Sequence, residues 1–116
     1  DRESMRVARD LLDEDNLLLV FPEGTRRDGP QVAELFDGTA WLAAKAGARV
    51  VPVGIAGSGE AMPAGARFPK PCRIRLVVHP ALEPPEPRAP RSALRAWTAD
   101  LESALQSALD EANAGI

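Results

Sequence analysis

The order of apolar runs and helical periodicities predicts an α/β fold, a mostly parallel sheet with helices on both faces, made of about three strands and three helices. Three observations carry this expectation. Residues 17–21 (LLLVF) and 50–56 (VVPVGIA) are apolar at nearly every position, the pattern of strands covered on both faces. An alanine-rich helical stretch lies between them, so strand, helix and strand follow within about 40 residues, a βαβ unit with a right-handed crossover. A third run, 72–78 (CRIRLVV), alternates apolar and basic side chains. Three strands would leave a strand of buried type at a sheet edge, so the sheet is expected to be incomplete and part of a larger domain.

Each element has its own signal. Met5, Ala8, Leu11 and Leu12 recur at helical spacing and predict an amphipathic helix over 2–13, with Asp1 as N-cap and the polar run 13–16 as its stop. The LLLVF strand runs into the turn FPEGTRRDGP. Residues 36–46 predict a second helix, with Trp41, Leu42 and Ala46 near one face and Gly47 closing it. Pro52 interrupts the strand 50–56 or places it near an edge. The segment 58–71 (SGEAMPAGARFPKP) has no periodicity and reads as a surface loop. In 72–78, Ile74, Leu76 and Val78 share one face while Arg73, Arg75 and Val77 share the other. Cys72 is read as filler at the strand edge. Prolines 80, 84, 85, 87 and 90 form a stiff linker into a helix whose stripe is Leu94, Trp97, Leu101, Leu105 and Leu109. Its opposite face carries Asp100, Glu102, Gln106 and Asp110, a poor match to anionic lipid, so the stripe is assigned to core packing.

Bulk properties narrow the classes of function. The 116 residues amount to one domain or less. A net charge of −3 and the lack of a basic arm argue against a nucleic-acid partner. The apolar runs are too short to span a bilayer, and the charged opening DRESMRVARD has no signal-peptide core. One cysteine precludes an internal disulfide framework and fits a reducing compartment. The chain opens without methionine, directly into a helical pattern, as expected for a piece of a longer polypeptide.

The stretch Phe21-Pro22-Glu23-Gly24-Thr25-Arg26 stands at the carboxyl end of the LLLVF strand, where open α/β sheets bind ligands. Gly24 permits close backbone approach, Thr25 offers a hydroxyl donor, and Arg26 presents a planar fork that matches two phosphate oxygens. Glu23 would repel a phosphate unless it orients Arg26 or accepts a hydrogen bond from a substrate hydroxyl. Residue types alone fit equally well a plain turn with an exposed Glu23–Arg26 ion pair.

FPEGTR resembles the motif of the glycerolipid acyltransferase family, which includes 1-acylglycerol-3-phosphate acyltransferases. The resemblance continues through FDGTAWLAAKAGARVVPVGIAGS, AMPAGARFPKP and RIRLVVHPAL, from about residue 17 to 83. It implies that residues 1–116 are the C-terminal part of a single acyltransferase domain. It further implies that Phe21, Pro22, Glu23, Gly24, Thr25 and Arg26 help form the acceptor pocket, with Arg26 as phosphate ligand. Pro52, flanked by Val51 and Val53, would pack at the pocket wall.

The family's catalytic His-x-x-x-x-Asp is not in this sequence, whose one histidine, His79, lies downstream with Pro84 five positions on. No catalytic residue is therefore assigned, and His79 is read as structural. The family's middle motif ends in arginine, but Arg2 stands too close to Phe21 to be that residue and is read as an ordinary helix residue. Asp37 precedes Gly38 where members often carry a basic residue, which removes a possible second phosphate contact. Arg27 and Arg49 replace a frequent serine and proline.

The function implied is transfer of a fatty acyl group from an acyl thioester to the hydroxyl of a lysophospholipid, this chain supplying the acceptor's phosphate-binding part. On this reading the chain alone is inactive. The alternative is a non-catalytic phosphate- or lipid-binding module. No metal or bound cofactor is implied, since acyl-CoA or acyl carrier protein enters as donor substrate. The partners expected are the lysophospholipid, the thioester and a membrane surface, at the cytoplasmic face, peripheral or tethered by parts outside this chain. Arg67, Lys70, Arg73 and Arg75 are a candidate basic surface for anionic headgroups, with a solvated loop as the equal alternative.

Overall fold

A computed structural model describes residues 2–23, 31–32, 34–61, 65 and 67–116. In chain order the elements are helix α1 (Arg2–Asp13), helix α2 (Gly38–Ala46), strand β1 (Val53–Ala56), the single-turn helix α3 (Ser58–Ala61), strand β2 (Arg75–Val78) and helix α4 (Arg91–Ala114). The three longer helices fall where periodicity puts them, with Arg2 opening α1. Gly47 ends α2 in the left-handed region at φ 63°, its N–H donating to the Ala43 carbonyl, the arrangement that favours glycine after a helix.

The sheet differs from expectation. β1 and β2 are antiparallel neighbours, with Val53 opposite Val78 and Ala56 opposite Arg75. Among the described residues of their connection the one element is the short α3, whereas a parallel pair requires a longer crossover, usually helical. The first part of the run 50–56 is outside strand β1: Val50 bridges Leu82, and Pro52, which has no N–H, meets the other strand through its carbonyl, which accepts the His79 N–H.

The run 17–21 forms no strand, and among the described residues nothing pairs with it. Leu17 is wholly exposed, and Leu19 and Phe21 are 77% and 67% exposed. Apolar composition suits a segment to two-sided burial, but a strand exists only where a neighbour supplies its backbone hydrogen bonds. The expected βαβ unit is therefore not formed within the described residues.

Among the described residues, helix α4 covers one face of the β1–β2 pair and no helix covers the other. Gly54, Ala56, Val77 and Arg75 face α4, and Ala56, Val77 and Ala112 form a buried cluster. A methyl group at Gly54 would overlap the Ala108 carbonyl, so glycine and alanine together let strand and helix backbones approach closely. Arg75 completes this face by donating through Nη1 to the Glu111 carbonyl oxygen at 2.7 Å, near the C-terminal end of α4. Cations are favoured there by the helix dipole. On the other face Ile55, Leu76 and Val78 are exposed, as is Ile74 just before β2. The two faces of β2 are thus those the alternation predicts, but the one bearing Arg75 turns inward.

The buried seam of α4 is Thr98, Leu101, Ala108 and Ala112, flanked by the half-buried Leu94, Trp97, Leu105 and Leu109. Small residues dominate it because the sheet and α2 come so close. Across the chain the core is built from Leu35, Ala40, Leu42, Ala43 and Ala44 around α2 and from the α4 seam, with Pro52 fully buried. The proline-rich segment between β2 and α4 is tied down from two sides: Trp97 Nε1 donates to the Glu83 carbonyl at 2.8 Å and Lys45 Nζ to the Pro87 carbonyl at 2.9 Å. No helix among the described residues is long and apolar enough to cross a membrane.

Candidate functional site

Of the six expected site residues, Phe21 is exposed and Pro22 and Glu23 are half-buried in a turn; Gly24, Thr25 and Arg26 lie outside the described residues. The chain is described again at Gln31 and Val32, and from there its path is set by α4. The Val32 N–H donates to Gln106 Oε1 at 2.8 Å, and the Leu35 N–H donates to Glu102 Oε1 at 3.0 Å. Arg95 Nη1 donates to the Leu35 carbonyl at 3.3 Å and to Asp37 Oδ1 at 3.0 Å. Arg95 also lies 3.6 Å from Glu102 and 3.8 Å from Glu34. Leu35 is 1% exposed, pinned beneath these contacts.

Positions 95, 102 and 106 fall on one stripe of a 3.6-residue helix, so three polar side chains of α4 face one short segment. Irregular backbone against a helix must still satisfy its N–H and C=O groups, and here side chains do so. Periodicity puts Glu102 and Gln106 on the polar side of α4 and gives Arg95 no distinct place. The signal available was their shared stripe, seven and four positions apart, beside the apolar one. Asp37 is engaged here as the partner of Arg95. Its carbonyl also accepts the Trp41 N–H at 2.9 Å.

Pro52 is buried, and its carbonyl accepts the His79 N–H at 3.0 Å. The His79 ring approaches Glu111 of α4, with Nε2 and Oε2 2.8 Å apart. His79 therefore joins the end of β2 to α4. Of the four basic residues in the candidate headgroup surface, Arg67, Lys70 and Arg73 are exposed, whereas Arg75 is bound to α4 and does not belong to it. Cys72 is exposed, its Sγ 3.5 Å from the Gly57 carbonyl, and it precedes β2 instead of lying within it.

Residues 1–56 match the family model described as Acyltransferase. Over 81 residues the chain is 42% identical to a 1-acyl-sn-glycerol-3-phosphate acyltransferase of Chlamydomonas reinhardtii, covering 69% of this chain and 24% of that protein. In structure it matches the 1-acyl-sn-glycerophosphate acyltransferase PlsC of Thermotoga maritima with a TM-score of 0.69 and 25% identity, over 89% of this chain and 43% of that one. The chain belongs to the glycerolipid acyltransferase family.

A chloroplastic 1-acyl-sn-glycerol-3-phosphate acyltransferase of Arabidopsis thaliana is 30% identical over 78 residues, 66% of this chain and 22% of that protein. The chain thus spans about a quarter of the length of these acyltransferase relatives. The family match starts at residue 1, so it takes in α1 as well as FPEGTR, α2 and β1, whereas the motifs alone place its beginning near residue 17.

Proposed function

We propose that the protein to which this chain belongs transfers a fatty acyl group from an acyl thioester to the hydroxyl of a lysophospholipid such as 1-acylglycerol-3-phosphate. In this reading the turn 21–26 binds the acceptor, with Arg26 gripping its phosphate. The observation that carries the proposal is the FPEGTR sequence, followed by α2 and the VVPV run, inside the stretch that matches the acyltransferase family.

The chemistry divides accordingly. The acceptor hydroxyl oxygen attacks the thioester carbonyl carbon, its proton passes to a neutral imidazole, and collapse of the adduct breaks the C–S bond. The proton leaves with the thiol, and the ester remains on the acceptor. A His-x-x-x-x-Asp pair from another part of the protein would supply that imidazole; residues 21–26 would hold the phosphate so that the hydroxyl lies within its reach. Acyl-CoA or acyl carrier protein serves as donor and leaves as free thiol, so no bound cofactor is required. An acceptor resident in lipid puts the working position at a membrane surface, on the cytoplasmic side.

The test is acyl transfer by the intact protein, with labelled thioester donor and 1-acylglycerol-3-phosphate. Diacyl product is expected, and Arg26→Ala should lower kcat/KM for the acceptor by roughly ten- to a hundredfold, the worth of a charge-assisted hydrogen bond. Phosphate-lipid binding without product would favour the non-catalytic module. Undiminished turnover in Arg26→Ala would refute the assignment of Arg26.

A further inference from the structure

We infer that the segment 67–74 is a docking surface for an anionic phospholipid bilayer; this rests on the membrane position proposed above. Arg67, Lys70 and Arg73 supply its charge, and Phe68 and Ile74 its apolar contact. Every residue from Arg67 to Ile74 is exposed, while the backbone beneath is held in place. The Lys70 N–H donates to the Ala61 carbonyl at the end of α3. The Arg73 carbonyl lies against Gly57, where a methyl group would overlap it. Pro69 and Pro71 fix φ between the charged positions, so little backbone freedom is left to lose on docking.

Charge singles this surface out. Between Glu60 and Glu83 the sequence has four Lys and Arg residues and no carboxylate, in a chain whose net charge is −3. Arg75, the fourth, is taken up by the Glu111 carbonyl. Arg67, Lys70 and Arg73 meet no carboxylate among the described residues. Phe68 is 79% exposed among them. Phe36 is nearly as exposed, at 73%, but it stands between Glu34 and Asp37, whose charge an anionic surface repels. A single exposed ring is ordinary. One flanked by three cations suits a bilayer interface, where the ring enters the headgroup layer and the cations meet lipid phosphates.

The intact protein would be mixed with vesicles of phosphatidylcholine alone or of phosphatidylcholine with phosphatidylglycerol, the lipids carrying brominated acyl chains. Emission of a Phe68→Trp variant would be compared with that of the unaltered protein, whose Trp41 and Trp97 set the background. The added tryptophan should be quenched and shifted to the blue on the anionic vesicles, and much less on the neutral ones. Arg67→Gln, Lys70→Gln and Arg73→Gln should each lower partitioning onto anionic vesicles about fivefold, the worth of one cation near such a surface. Added salt should shrink that difference. Arg88→Gln, which removes an exposed cation outside the segment, should leave partitioning unchanged. Vesicle binding with the added tryptophan unquenched would overturn the inference and leave the membrane position standing. Emission already blue-shifted without lipid would also overturn it, because another part of the protein would then cover the segment. Failure to bind either kind of vesicle would refute the membrane position and the docking surface together. None of these readouts needs acyl transfer, so a failed docking surface and a failed catalytic reading stay distinct.

Discussion

Arg95 stands 3.0 Å from Asp37, fifty-eight positions earlier, and so joins the second turn of α4 to the entrance of α2. The pair is partly exposed, and an isolated pair of that kind contributes no more than about 1 kcal/mol. Its setting raises its consequence, because Arg95 also reaches the Leu35 carbonyl and flanks Glu102.

Replacing Asp37 by lysine should set two cations against each other. A loss of about 1 kcal/mol or slightly more is expected in thermal unfolding. Adding Arg95→Gln, which removes the second cation and keeps an amide donor for the Leu35 carbonyl, should restore part of it. A double variant no better than Asp37→Lys alone would show that the charges do not couple.

Two glycines separate the effects of space and of backbone conformation. Gly54→Ala forces a methyl group into the Ala108 main chain, which cannot rotate aside, so a loss of about 3 kcal/mol is expected. Gly47 has nothing within 4 Å of where its Cβ would be, yet its φ of 63° disfavours any L side chain. Gly47→Ala should therefore cost only about 1 kcal/mol. Denaturant midpoints of the two variants should fall in that order; the reverse order would mean that α4 does not lie against β1 as described.

Trp97→Phe keeps most of the ring and removes the N–H that donates to the Glu83 carbonyl. The loss should be about 1 kcal/mol, and protease cleavage within 83–90 should quicken. Unaltered cleavage would show that the proline-rich segment is held by its own stiffness and not by this contact.

The helices were legible because each reports itself locally, in the periodicity of Met5, Ala8 and Leu12, in Gly47, and in the leucine stripe of α4. The sheet was not, because strand direction and pairing depend on partners remote in sequence. The LLLVF run carries the composition of a buried strand, but composition cannot supply a neighbour. In β2 the alternation correctly separates Leu76 from Val77, yet the inward face is chosen by α4, whose end accepts Arg75 and whose Ala112 admits Val77. Glu102 and Gln106 read as solvent-facing because a sequence does not show which backbone groups will need a partner. FPEGTR and its spacing to VVPV marked the family, while the α4 stripe that meets Val32, Leu35 and Asp37 emerged only in three dimensions.

α4 carries two attachments on adjoining stripes: Arg95, Glu102 and Gln106 to the segment before α2, and Ala108 and Ala112 to the strands. A helix advances about 100° per residue, so the number of residues between the stripes fixes their relative angle. One residue inserted between Gln106 and Ala108 would swing one attachment away from its target while the other stayed seated. The same insertion between Pro87 and Arg91, past the contacts that tie the proline-rich segment at Glu83 and Pro87, would be taken up as slack. Tolerance of insertions and deletions should therefore fall abruptly at Arg91, where the chain stops being a connector and becomes a ruler.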